Sequence, residues 1–136
     1  MVDILEGIIE ILKSDTIIRE NINDRIFGGK LPFEEIEKMP RKNIVIVQDG
    51  SPEYAQSSVT IKQRFSIWIY SETEYEGGVL DRLIFDCLKA VSRKTIVQML
   101  IHSIGLGGVT KINDPDTGWP ILIRTILVMA DERKIN

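Results

Sequence analysis

The chain has 136 residues, of which 43% are hydrophobic and 27% are charged, and its formal net charge is −3 at pH 7. This length suits a single domain, 1–136, in which residues 131–136 form a flexible tail. The acidic balance argues against a dedicated nucleic-acid binder, because such proteins are usually basic. The amino terminus lacks a signal-peptide pattern, and no apolar run approaches the roughly 20 residues that span a bilayer. These features predict a protein made in a reducing cytoplasm.

Two helices are predicted at the start of the chain. Val2 to Lys13 places its aliphatic residues on one half of a helix and its charged residues on the other half. A short second helix is expected over Thr16 to Asn21, with Ser14 or Asp15 as its N-cap, because both side chains accept hydrogen bonds from a first helical turn.

The next segments alternate between irregular structure and strand. Asn23 to Pro32 contains two glycines and a proline, which predicts an irregular or edge segment. Phe33 to Asn43 is highly charged and predicts a solvated loop or a short exposed helix. Ile44 to Val47 is a β-branched run between turn residues, which indicates a strand. Gln48 to Ser58 is too long for a tight turn and is expected to be a protruding loop between antiparallel strands.

The longest alternating pattern runs from Val59 to Tyr70 and predicts a strand with one buried and one open face. Gln63 is the polar exception on the expected buried face. That face comprises Val59, Ile61, Gln63, Phe65, Ile67 and Ile69, and the open face comprises Thr60, Lys62, Arg64, Ser66, Trp68 and Tyr70.

A polar turn, Ser71 to Gly78, leads into an amphipathic helix with a 3.6-residue period. Burial of such aliphatic side chains is worth roughly 1.5–3 kcal/mol each, so this stripe and the preceding strand can form the centre of a core. The stripe comprises Leu80, Leu83, Ile84, Cys87, Leu88 and Val91.

The last third of the chain predicts two strands. Thr95 to Leu100 fits either a helix or a strand, and a strand with a glycine-induced kink or bulge is expected between Val97 and Ile112. Asn113 to Gly118 is a strong turn signal. Trp119 to Ala130 is apolar on both faces apart from Arg124 and Thr125, which indicates a strand in the interior of a sheet.

This order predicts an α+β domain. Its sheet is mostly antiparallel with four or more strands, and the N-terminal helix and the central amphipathic helix pack on one face.

No residue pattern in the chain predicts catalysis or a bound cofactor or metal. Gly105 to Gly108 lacks the lysine and hydroxyl of a phosphate-binding loop and predicts a turn or bulge. His102 is the single histidine and is expected to be a hydrogen-bonded strand residue. Asp114 and Asp116 form too short a series for a cation site. Cys87 lies on an apolar helix stripe and is expected to be a buried, unreactive thiol.

Exposed aromatic residues point instead to an interaction surface. Phe85 is expected on the polar side of the central helix, where a loop or a partner would have to cover it. On the open strand face, Lys62, Arg64, Trp68 and Tyr70 form a mixed cationic and aromatic set of the kind enriched at protein interfaces. We expect part of this set to contact another subunit. The alternative is that the leading helix covers this face.

The order of elements resembles a known family. The N-terminal helix leads into Asp24-Arg25-Ile26 and Leu31-Pro32, and a hydrophobic strand follows Pro40. Next come the strand ending in Ile67-Trp68-Ile69-Tyr70-Ser71, the helix from Leu80 to Val91, and the turn Asp114-Pro115-Asp116-Thr117-Gly118-Trp119. Over nearly the whole chain, this pattern is similar to the tail-completion proteins of long-tailed bacteriophages, also called tail terminators or tail-to-head joining proteins.

The resemblance implies a structural virion protein without catalysis, made in the host cytoplasm. Such proteins form a ring, commonly a hexamer, that ends the tail tube and meets the head connector. The Gln48 to Ser58 loop, including Asp49 and Ser51, is then a candidate for subunit or tube contact. DNA would pass through the acidic ring without binding. The alternatives are a head-side connector or head-completion protein, and a small carboxylate-based enzyme or ligand-binding domain.

Overall fold

The structure is a computed structural model that describes residues 4–54, 60–96 and 99–131. These residues form four helices and six strands. In chain order they are α1 (Ile4–Ser14), α2 (Thr16–Ile22), β1 (Ile26–Gly28), α3 (Phe33–Glu37), β2 (Asn43–Tyr54), β3 (Thr60–Tyr70), α4 (Glu74–Lys89), β4 (Ser92–Ile96), β5 (Met99–Asn113) and β6 (Pro120–Asp131).

All six strands belong to one sheet with the order β1-β2-β3-β6-β5-β4. Only the β1–β2 pair of the described strands is parallel. The predicted α+β class with a mostly antiparallel sheet is confirmed. The count of four strands was too low, because β1 and β4 are short edge strands without an alternating apolar pattern.

The sheet has an inner face, which packs on the helices, and an outer face. Ile61, Phe65, Ile67 and Ile69 of β3 are all 5% exposed or less and belong to the core on the inner face. The predicted burial of these four residues is confirmed, while Val59 lies outside the described residues. The core also takes aliphatic residues from α1, α2 and α4, so the helices share one side of the sheet.

Gln63 is buried on the inner face because β2 is irregular beside it. The pairing of β2 with β3 changes register between Asp49 and Glu53. The Gln63 amide donates to the carbonyl oxygens of Asp49 at 3.2 Å and of Gly50 at 3.3 Å, and it accepts a hydrogen bond from Gln48. The side chain thereby supplies donors to carbonyl groups that the interrupted ladder does not pair.

The prediction of a loop from Gln48 to Ser58 is wrong for residues 48–54. Residues 48–54 continue β2 as an exposed strand, because register with β3 resumes at Glu53 and Tyr54 after the bulge. Gly50 has φ +73°, a conformation that glycine adopts without strain. The remainder of the expected loop lies outside the described residues.

The boundaries of α1 and α2 agree closely with the sequence pattern. The predicted polar turn from Ser71 to Gly78 is wrong beyond Thr73, because Thr73 caps a helix that already begins at Glu74. Asp15 caps α2 by accepting a hydrogen bond from the Ile18 N–H at 3.0 Å, and Thr73 caps α4 through the Glu76 N–H at 3.1 Å. The start of the predicted first helix, residues 2–3, lies outside the described residues. In α4, the polar residue Asp81 is buried although it lies outside the apolar stripe that the periodicity predicts.

Helix α1 contacts both edges of the curved sheet. A Cβ added to Gly7 would lie 2.6 Å from Met99 Cε and 3.4 Å from Ile96 Cγ2, near β4 and β5. A Cβ added to Gly28 in β1 would lie 3.1 Å from Leu5 Cδ2 of the same helix. The helix therefore spans the gap between the two edge strands.

The short helix α3 is exposed except for one acidic residue, in accord with the predicted short exposed helix. Glu35 is 9% exposed and accepts a hydrogen bond from Arg41 Nε at 2.8 Å. The Arg41 hydrogen bonds lower the pKa of the Glu35 carboxyl below its usual value, and burial opposes that effect. The pair fixes α3 to the segment that leads into β2.

The last two long strands match their predictions. Thr95 and Ile96 end β4, and Met99 and Leu100 begin β5, so the described part of the ambiguous segment is strand. The β5–β6 register shifts between Leu106 and Val109, as expected for a glycine-induced bulge. Strand β6 lies between β3 and β5, in the interior of the sheet.

The turn and the end of the chain complete the outline. In the predicted turn, the Asp114 carboxylate accepts a hydrogen bond from the Asp116 N–H at 2.9 Å, and Gly118 has φ +77°.

Asp131 ends β6 rather than beginning a tail, and residues 132–136 lie outside the described part. None of the described helices is both long and apolar enough to cross a bilayer.

Candidate assembly interface

The outer face of the sheet carries a row of apolar side chains across its centre. Strand pairing places Phe27, Val45, Trp68 and Ile123 side by side on four neighbouring strands. Next to this row, Tyr70 pairs with Ile121. Helices α1, α2 and α4 pack on the opposite face, so the expectation that the leading helix covers this side is wrong. The row is partly open, because Phe27, Trp68 and Ile123 keep intermediate exposure while Val45 is only 2% exposed. At the Tyr70 end, Ile36 of α3 lies near this face.

The other half of the outer face is charged. Asp49 pairs with Arg64 and Glu53 pairs with Lys62 across the β2–β3 hairpin. These residues line a shallow hollow of about 250 Å³ together with Ser51. The Asp49 carboxylate accepts a hydrogen bond from Ser66. The structure thus brings together four of the seven predicted interface residues, namely Asp49, Ser51, Lys62 and Arg64.

Trp68 and Tyr70 lie farther along the same face and are half-buried. Burial raises the pKa of Tyr70, and the Asp114 carboxylate raises it further. Six of the predicted interface residues therefore occupy one continuous face, with the cations at one end and the aromatic rings at the other.

Phe85 does not belong to this set. It lies on α4, on the opposite side of the sheet, with the charged groups of Arg82, Arg124 and Lys89 at 5.1, 5.1 and 5.7 Å from its ring centroid. Cations at this distance from an aromatic ring are attracted to its electron-rich face and shield it partly from water. Phe85 therefore lies on a surface separate from the β3 residues, and its role as a contact residue stays a prediction.

A buried ion pair on the inner face was missed. Arg124 donates to both Asp81 carboxylate oxygens, at 2.9 and 2.6 Å, and its side chain is only 11% exposed. A further bond from Arg124 reaches the Gly107 carbonyl oxygen at 2.8 Å, at the bulge in β5. The hydrogen bond to Asp81 raises the pKa of Arg124. The sequence signal that could have found this pair was Arg124 in the largely apolar β6 and Asp81 at the margin of the apolar stripe of α4.

The remaining polar candidates pair internally. His102 Nε2 lies 2.8 Å from Asp131 Oδ1, which also accepts a hydrogen bond from Thr60 at 3.2 Å. This is the expected strand histidine with a hydrogen-bond partner. Within the described ranges, no group of three or more His, Cys, Asp or Glu side chains is arranged to hold a metal ion.

Cys87 is half-buried between α4 and α1. Burial raises the pKa of its thiol to about 11, with a further contribution from the Asp15 carboxylate. Its sulfur lies 3.9 Å from the Ile11 carbonyl oxygen. A thiol with so high a pKa is almost entirely protonated at neutral pH and is therefore a poor nucleophile.

Comparison with solved structures finds the same fold in a virus-like particle. A chain of the virion of a native gene transfer agent (GTA) particle superimposes with a TM-score of 0.71, and the match covers 93% of each chain at 7% sequence identity. At this identity the likeness is one of fold. No protein-family model and no curated protein sequence matches the chain.

Proposed function

We propose that this protein is a structural component of a phage-like virion that forms a ring at the head-proximal end of a tail tube. The ring, expected to be a hexamer, would end tube growth and join the tail to the head-completion or connector protein. Each subunit would contribute one domain. The proposal rests on the fold shared with a virion chain and on the sequence resemblance to tail terminators.

The observation that carries the proposal is the outer face of the sheet, which lies away from the core. Its centre presents Trp68, Ile123 and Tyr70, each partly exposed, while its end presents the charged residues of the β2–β3 hairpin. Partly exposed apolar side chains beside a charged border are typical of protein interfaces. A partner surface of the same assembly would bury the aromatic centre and pair the charges at its border.

A ring requires that this face meets a different surface on the next copy. Such head-to-tail contacts close when the rotation between copies divides a full turn. The assembly needs no catalytic group. An acidic subunit also suits a channel through which DNA passes, because a basic lining would bind phosphates.

The test combines the protein with tail tubes assembled from the tube protein of the same genome, followed by negative-stain imaging. We expect capped tubes of defined length. The double variant Lys62→Glu/Arg64→Glu is expected to lose capping, while Lys13→Glu/Arg19→Glu, which alters two cations on α1 and α2, keeps it. Tubes that remain uncapped by the unaltered protein would refute the terminator role, and binding to head connectors alone would favour the head-side alternative.

A further inference from the structure

A second surface lies at the end of the sheet that contains Tyr70, the last residue of β3. A groove of about 360 Å³ runs there between the α3 segment and the turn at residues 114–118, and we name it the end groove. Leu31, Ile36 and Met39 form one wall, and Tyr70 contributes to the floor. The opposite rim carries Asp114 and Asp116.

The apolar wall continues onto exposed surface. Phe33 is 69% exposed and Ile36 is 52% exposed, although both belong to the five-residue helix α3. Single exposed apolar residues are common, but an exposed aromatic and an exposed isoleucine beside an apolar groove form a continuous patch. This surface extends beyond what a small ligand inside the groove would cover, which favours a protein segment.

The rim adds a negative charge. Neither Asp114 nor Asp116 forms an ion pair with another residue of the described chain, and Lys30 is the single cation that lines the groove. The Asp114 carboxylate is close enough to raise the pKa of Tyr70, which itself lies against the groove. An incoming cation would therefore meet two carboxylates beside an aromatic ring, a combination that favours Arg or Lys.

We propose that the end groove binds an extended segment of a partner protein in which an Arg or Lys side chain adjoins aliphatic side chains. The cation pairs with Asp114 and Asp116, and the aliphatic groups pack on Leu31, Ile36 and Met39. The groove holds only a few side chains, so an extended segment fits it better than a helix. The end groove shares Tyr70 with the outer face but lies apart from its charged end, so peptide binding can be tested without ring formation.

The experiment uses isotope-labelled protein and two capped peptides, Gly-Ile-Arg-Ile-Gly and its counterpart with Glu in place of Arg. Chemical-shift changes on titration with the Arg peptide are expected at Met39, Tyr70 and Thr117. The Glu peptide is expected to bind at least about fivefold more weakly. A fivefold change in affinity corresponds to about 1 kcal/mol, the scale of one exposed charge pair.

Variants define the site. Asp114→Asn/Asp116→Asn keeps the oxygen that accepts the turn hydrogen bond but removes the charge, and it is expected to bring the two peptides to similar affinity. Ile36→Ser should weaken both peptides. Glu20→Gln, an exposed acid on α2, is the matched control and should change neither.

Equal binding of the two peptides to the unaltered protein, or shifts spread over the whole surface, would overturn the proposal. Groove shifts that appear without peptide as the protein concentration rises would also overturn it, in favour of a second copy as the occupant. The Lys62→Glu/Arg64→Glu variant separates the two proposals, because it should lose tube capping and still bind the Arg peptide.

Discussion

The two faces of the sheet reverse the usual distribution of side chains. The inner face is packed on helices yet contains the ion pair Arg124–Asp81 and the amide of Gln63. The outer face lies away from α1, α2 and α4, yet it carries Trp68, Tyr70 and Ile123. The polar groups named on the inner face have specific partners, whereas these three apolar groups of the outer face stay partly exposed.

This difference indicates which residues serve the fold and which serve contact with other molecules. A buried charge with a bidentate partner is satisfied within the chain, and its loss should reduce stability. An apolar residue on an uncovered face adds little to stability, so its presence points to a partner. The four predictions below test this division, from the largest expected effect on stability to the smallest.

The largest effect is expected from Asp81→Ala, which leaves Arg124 buried without its carboxylate. The free energy of unfolding, measured by urea denaturation, should fall by about 3–5 kcal/mol. Replacing both partners, as in Asp81→Leu/Arg124→Met, should restore most of that loss. The matched control Asp86→Ala on the same helix breaks an exposed pair with Arg82 and should cost less than about 0.5 kcal/mol. Similar losses in both single variants would contradict a special role for the buried pair.

Gln63→Leu should cost about 2 kcal/mol, because it removes the Gln63 donor from the Asp49 carbonyl group and leaves the Gly50 carbonyl group with the Gln48 amide alone. Hydrogen exchange should increase in β2 around the bulge more than in the β5–β6 pair. Gln63→Glu keeps the shape and removes the amide donors, so it should be no better tolerated. A stable Gln63→Leu variant with unchanged exchange would show that the bulge does not need the amide.

Glu35→Gln should cost about 1 kcal/mol at neutral pH through the weakened bond to Arg41. The pKa of Glu35 is lower in the folded protein than its ordinary value of 4.5. Its contribution to stability is therefore complete above that value and is lost as the pH falls through the folded-state pKa. The difference between the unaltered protein and the variant should shrink in acid, and a difference that is constant from pH 7 to pH 3 would contradict this account.

Trp68→Thr should change the free energy of unfolding by about 1 kcal/mol, since threonine suits a strand and the Trp68 side chain is only partly buried. Tube capping should nevertheless be lost. The control Tyr75→Thr removes a 79% exposed aromatic from α4 and should keep capping. A Trp68→Thr variant that unfolds, or that caps tubes normally, would place this residue with the inner face instead.

Much of the fold follows from the sequence because the long elements have clear periods. The alternation of β3 fixed its inner and outer sides, and the doubly apolar pattern of β6 indicated a central strand. The short edges β1 and β4 have no such pattern. The strand from Gln48 to Tyr54 is polar and contains Pro52, so its conformation depends on pairing with β3 rather than on its own residues.

The candidate interface was predicted only where one element supplied it. Lys62, Arg64, Trp68 and Tyr70 share a face because they alternate along β3. Asp49 and Ser51 join them through the register of the hairpin, which no local pattern specifies. The burial of Asp81 was not predicted, because its pairing with Arg124 depends on how α4 crosses β6.

The position of α1 has a consequence for the order of folding. This helix touches β1 near Gly28 and also touches Met99 and Ile101, at the far end of the chain. Contacts between residues so far apart in the sequence form slowly, because the entropy of closing a long loop is lost before the contacts contribute free energy. The apolar stripe of α1 is therefore expected to stay incompletely covered until the fifth strand has formed.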